Sequence, residues 1–66
     1  MTPAEFAAFV ALCKGRGLLQ KNLAATLGIN ETRIKSYQVR IPPSQAKIIG
    51  LACAAIAADL APWKKS

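Results

Sequence analysis

Apolar residues recur along this chain at helical rather than alternating spacing. Phe6, Phe9, Val10 and Cys13 fall on one face of a helix over about residues 3–15, and alanines fill much of the remainder. Thr2, Pro3 and Glu5 make a strong start for it, because Thr2 can cap, Pro3 suits the first helical position and Glu5 completes a capping box. Gly15 or Gly17 is expected to end it, since glycine takes the left-handed conformation that closes a last turn. A second helix is predicted over about residues 20–27, with Leu23 and Leu27 one turn apart on its inner side. Leu19 stands where a capping Ser or Thr would be expected, so the first amides of this helix need water, a backbone group or a ligand phosphate.

Gly28 allows a sharp turn after Leu27, and Ala24, one turn earlier, is small enough to admit a following helix closely. Ile29 then drops into the core, and Asn30 can cap a third helix over about residues 31–38. At about 100° per residue, Ile34 and Tyr37 share the inward side with Asn30, whereas Thr32, Lys35, Ser36 and Val39 point away. Ile41-Pro42-Pro43 interrupts the pattern, since proline holds its predecessor in extended conformations. A fourth helix follows over about residues 44–59, beginning near Pro43 or Ser44. Ile48, Ile49, Ala52, Cys53, Ile56 and Leu60 form its expected inner stripe, Pro62 its stop, and Lys64-Lys65-Ser66 a frayed tail. No strand pattern, internal repeat or linker interrupts this order, which predicts an all-α, compact domain of four to five helices spanning residues 1–66.

The length of 66 residues supports one compact unit and makes a catalytic cleft an unpromising expectation. Cores this small often lean on disulfides, metals or self-association. There is no histidine, and Cys13 and Cys53 have no near partner at zinc-ligand spacing, so no metal and no cofactor is expected. Sequence leaves a single disulfide open, but both cysteines sit in apolar helical patterns that favour the role of small buried hydrophobes in a reducing cytoplasm. The N-terminus lacks the basic region of a signal peptide, and the longest apolar run, Ile48 to Ala58, is too short for a bilayer span of roughly 20 residues. A cytoplasmic protein without membrane contact is therefore expected.

Nine lysines and arginines against three acids give a formal charge of +6, which favours an anionic partner. Lys14, Arg16, Lys21, Arg33, Lys35 and Arg40 lie between residues 14 and 40, with Glu31 alone opposing them. The charge thus gathers around the second and third helices.

Gln20 to Tyr37 resembles the helix-turn-helix of the Cro/cI repressor family, also called the XRE family. The matching positions are Gln20 at the start of the second helix, Leu23 and Ala24 after it, Leu27, Gly28 and Ile29 in the turn, and Ile34 and Tyr37 as the apolar pair of the recognition helix. A preceding apolar helix, the Ile41-Pro42-Pro43 link and a long alanine-rich helix extend the likeness over most of the chain. Two positions depart from the family pattern. Gln38-Val39-Arg40 replaces the frequent Glu, one residue, then Gly, so a different exit from the third helix is expected, and Leu19 supplies no cap.

The resemblance implies a compact Cro/cI-repressor-like fold that inserts its third helix into the DNA major groove, which is about 12 Å wide and admits one α-helix. Carried over one position at a time, Glu31, Thr32 and Ser36 match base-reading places, and Lys35 lies beside them on the same face. Gln20 matches a residue that usually contacts a phosphate, and Lys21, Arg33 and Arg40 are further phosphate candidates. Each has a plainer role open to it: Glu31 as a partner of its own helix dipole, Lys35 as a solvated charge, and Thr32 and Ser36 as tolerated surface residues.

The resemblance further implies a bacterial or phage transcriptional regulator, a repressor in the first instance, working at the nucleoid as a homodimer on a palindromic operator with half-sites about 34 Å apart. The apolar surplus of the fourth helix with Trp63 is the candidate dimer face, with Trp63 folding over its own core as the alternative. A reading from another class is a protein-interaction module, antitoxin-like or adaptor, using the same fold without specific DNA binding. An enzyme is not expected, because no histidine, paired acids, phosphate-binding glycine loop or activated nucleophile can be assembled, and no small-molecule substrate is implied.

Overall fold

Four helices, α1 (Pro3–Gly15), α2 (Gln20–Leu27), α3 (Glu31–Tyr37) and α4 (Pro43–Ala57), make up the described part of the chain, residues 1–61 and 63 of a computed structural model, and no strand occurs among those residues. Local chemistry sets the ends. Thr2 Oγ1 accepts from the Glu5 amide at 3.1 Å and Glu5 Oε1 accepts from the Thr2 amide at 2.8 Å, completing the capping box. The Thr2 amide and then its hydroxyl hold the Glu5 carboxyl below its ordinary pKa.

Three helices end in the same way. After α1, Gly17 has φ +86°, the Leu18 amide donates to the Cys13 carbonyl at 2.8 Å and the Gly17 amide to that of Lys14 at 3.1 Å. After α2, Gly28 has φ +74°, with Ile29 donating to Ala24 at 3.0 Å and Gly28 to Ala25 at 3.2 Å. This double bond satisfies carbonyls that a helix end would leave bare, and it needs a left-handed residue. After α4 the left-handed residue is Asp59, φ +57°, with Leu60 donating to Ala55 at 2.8 Å. An aspartate tolerates that conformation at a cost of about 1 kcal/mol relative to glycine.

Phe6, Val10 and Cys13 of α1, Leu23 and Ala24 of α2, Ile34 and Tyr37 of α3, Ile41, and Ile49 and Cys53 of α4 form the buried core, with Phe6, Leu23 and Ile34 fully enclosed. The Phe6 and Tyr37 rings meet edge to face, centroids 5.9 Å apart and planes at 77°, an arrangement that adds about 1 kcal/mol to the burial of the rings themselves. The first three helices pack closely on one another, and α4 rests on them more lightly. Cys13 and Cys53 are both buried free thiols, as small hydrophobes would be. Burial pushes both thiol pKa values up, that of Cys53 to about 11.

Several expectations are corrected. The fourth helix starts at Pro43, as expected, but ends at Ala57 rather than near Asp59, because the Asp59 turn closes it before Pro62 is reached. Ile48 and Leu60 are not on its inner stripe. Ile48 is 58% exposed, since the helix seats on Ile49 and Cys53, and Leu60 is 64% exposed because it lies beyond the turn. Asn30 is exposed rather than inward, its side chain being committed to the Arg33 amide at 2.8 Å. The third helix ends at Tyr37, one residue early, with Gln38 as its cap. Trp63 is 89% exposed, so it does not fold over the core. Pro62 and the tail of Lys64, Lys65 and Ser66 lie outside the described residues.

Candidate nucleic-acid interface

The α3 helix is short, so its placement depends on two anchors. Ile34 and Tyr37, one turn apart, are buried among Phe6, Leu23 and Ile41, and this fixes the rotation of the helix about its axis. The same rotation turns Glu31, Thr32, Lys35 and Ser36 outward, and all four are exposed. Asn30 caps the helix at the turn that Gly28 makes possible, so the polar side begins immediately after the bend. The four residues read from sequence as base contacts therefore share one uninterrupted solvent-facing surface.

The positive groups border it. Arg33 and Arg40 are exposed on α3 and just past its end, and Lys21 is exposed in the first turn of α2. Gln20 beside it is half-buried, and no side chain caps α2, which begins after Leu19. The first α2 amides thus remain free of a side-chain acceptor, and the helix dipole adds partial positive charge there.

The exit of α3 differs from a glycine-closed end, as Gln38-Val39-Arg40 led one to expect. Gln38 stays right-handed at φ −74° and ψ −14°, and its Nε2 donates back to the Ile34 carbonyl at 3.2 Å. The Val39 and Arg40 amides both donate to the Ser36 carbonyl, at 3.0 and 2.9 Å, so the chain makes one further turn before Ile41 enters the core. That turn carries Arg40 back towards α3.

A depression of about 410 Å³ results, lined by Arg33, Ser36, Tyr37 and Arg40 from this side and by Ser44 and Gln45 from the start of α4. Two guanidinium groups, serine hydroxyls and a helix start without a side-chain cap suit an anionic oxygen cluster such as a phosphate. The depression unites three sequence-identified residues, Arg33, Ser36 and Arg40. Gln20 and Lys21 stand apart from it on α2. Ser44 and Gln45 were missed, although part of the signal was present: Pro42-Pro43 offers no capping side chain and no Pro43 amide, so the helix start has no side-chain acceptor, while the Gln45 amide donates to the Pro42 carbonyl at 2.9 Å.

Elsewhere, a second groove of about 360 Å³ runs between the ends of α1 and α4, lined chiefly by Phe9, Leu12, Leu18 and Ile56. Among the described residues no group of three or more acids, cysteines or histidines is placed to hold a metal ion. No described helix is long and apolar enough to cross a membrane. Comparison with protein-family models, curated proteins and solved structures gave no match to this chain.

Proposed function

We propose that this protein is a sequence-specific double-stranded DNA-binding regulator of the Cro/cI helix-turn-helix kind, with α3 as the recognition helix. The observation that carries the reading is the two-sidedness of α3: Ile34 and Tyr37 are buried, whereas Glu31, Thr32, Lys35 and Ser36 are all exposed. An exposed helix face with short side chains fits between the walls of a major groove, and a rim of Lys21, Arg33 and Arg40 meets the phosphates on either side. In this reading Thr32 and Ser36 contact base edges or a thymine methyl, Lys35 reads guanine and Glu31 accepts from a cytosine amino group. Lys21, Arg33, Arg40 and the start of α2 at Gln20 hold the backbone, and the depression beside Arg33 and Arg40 receives one phosphate. Regulation follows from occupancy: a domain seated on promoter DNA obstructs polymerase, and no catalytic step is involved.

Selection of bound duplexes from a random pool tests the reading. A consensus of a few base pairs whose retention falls steeply with salt is the expected outcome. Recovery of unenriched sequence would remove the claim of specificity, and absence of retention at low salt would remove DNA binding altogether. A second reading, a protein-interaction module of antitoxin or adaptor type, is favoured by the exposed Ile48 and Leu51 of α4, 58% and 74% accessible. Partner capture that ignores both salt and the Lys35→Ala change would support it over the first.

A further inference from the structure

The groove of about 360 Å³ between the ends of α1 and α4 has apolar walls and a charged rim. Two like turns build it. Phe9, Leu12 and Arg16 share one face of α1 and its cap, and the Gly17 turn brings Leu18 back beside them. Ile56 stands in the last turn of α4, and the Asp59 turn sets a carboxylate close by. Phe9, Leu18 and Ile56 are half-buried and Leu12 is 49% exposed, so an apolar occupant would cover surface that water still reaches. The volume lies at the small end of organic-ligand sites.

Charge identifies the occupant. Arg16 comes from the α1 side and Asp59 from the α4 side, both are exposed, and no salt bridge joins them. A guanidinium takes a carboxylate through paired hydrogen bonds. Asp59 lies just past the C-terminal end of α4, whose partial negative charge adds to its own, so an ammonium is favoured there on both counts. The fold itself has little use for a carboxylate at this place. Asp59 is left-handed at φ +57°, where glycine serves at lower cost, and its charge has the wrong sign for that end of the helix.

We propose that this groove binds a free apolar α-amino acid of the leucine or phenylalanine kind. The side chain lies among Phe9, Leu12, Leu18 and Ile56, the carboxylate on Arg16 and the ammonium on Asp59. A peptide segment matches the rim less well, because its backbone carries neither charge between its ends. The ligand bridges α1 to α4, the helix most lightly seated on the others, so binding stabilises the domain. Water still reaches both charged groups, which keeps the dissociation constant on the order of 1 mM. Binding here is independent of the DNA-binding reading, and its test uses no nucleic acid.

Amide NMR titrations and thermal melts of the full chain with L-leucine and with L-phenylalanine test the proposal. At least one of the two is expected to shift residues 12–18 and 56–60 saturably at about millimolar concentration and to raise the melting temperature. Glycine has the charges without the side chain, and N-acetyl-L-phenylalanine amide has the side chain without the charges; each should bind about tenfold more weakly. Arg16→Gln should weaken binding about fivefold with the circular dichroism spectrum unchanged. Asp59→Gly separates ligand from fold, since it should make the free domain more stable and yet lose about fivefold in affinity. No saturable shift with either amino acid, equal binding of the neutral amide, or an Asp59→Gly chain that binds as the parent does would each overturn the proposal.

Discussion

The outer faces of α3 and α4 are both exposed, yet they differ in kind. Each helix buries a narrow inner edge, Ile34 and Tyr37 on α3 and Ile49 and Cys53 on α4. What remains on α3 is Glu31, Thr32, Lys35 and Ser36, groups that water solvates well. What remains exposed on α4 from Ile48 onward is Ile48, Leu51 and alanine, which water solvates poorly. A polar face can stay open until a ligand with complementary donors arrives, whereas an apolar face gains from any cover, at about 25 cal/mol per Å² removed from water.

The largest effect that sharpens this contrast concerns the inner edges. Ile34→Ala or Phe6→Ala should cost about 3–5 kcal/mol, which approaches the whole stability of a domain this small, and thermal melts should lose their cooperative transition. Lys35→Ala and Leu51→Ala on the two outer faces should change stability by only about 0.5 kcal/mol in dilute solution. A large loss from either outer change would mean that the faces belong to the fold rather than to partners.

Next in size is the seating of α4. The Cys53 thiol is raised from 9.0 to about 11 by burial first and by the nearby Cys13 second. Because the folded-state pKa lies above the unfolded one, the neutral thiol's contribution is complete below pH 9 and declines as the pH rises towards 11. The loss at pH 11 should be on the order of 2 kcal/mol, read as the difference in denaturation midpoint between the parent and Cys53→Ala across that range. Equal pH dependence in both would show that Cys53 is not held in the interior.

On the outer face of α3, Arg40→Ala should weaken binding to every duplex and lower the slope of log affinity against log salt by about 1. Thr32→Ala and Ser36→Ala should instead reduce the preference for the selected duplex over a scrambled one by about 1 kcal/mol each, with the salt slope retained. Identical behaviour of all three in an anisotropy titration would contradict the division between phosphate and base contacts. Smallest is Asp59→Gly, which relieves a left-handed aspartate and should stabilise the domain by about 0.5–1 kcal/mol in a denaturant titration at low concentration.

The same contrast governs how much could be read from sequence. The first helix and the turn at Gly28 were legible because single residues with strong local preferences mark them: the Thr2, Pro3 and Glu5 start, and a glycine at positive φ. The orientation of α3 was legible because its polar and apolar residues segregate. The rotation of α4 was not. In a run such as Ile48 to Ala58 every side is apolar, so periodicity cannot choose between Ile48 and Ile49, and the fit of Ile49 and Cys53 against the other helices decides. The end of α4 was hidden for a related reason. Asp59 performs a role that glycine usually advertises, so Pro62 drew attention to a later stop. At the candidate site, the side chains of α3 were found from their spacing, but Ser44 and Gln45 join it only through the tertiary approach of the start of α4 to Arg33 and Arg40.

The measurement that tests the central claim most directly is a two-dimensional amide NMR titration of the chain with a selected duplex and with a scrambled one. The account expects the selected duplex to move the amides of Gln20, Lys21 and residues 31–40, together with Ser44 and Gln45, while Ile48 to Ala58 stay in place and the scrambled duplex gives weaker, salt-sensitive shifts. Shifts centred on α4, or none on α3 at saturating duplex, would contradict it.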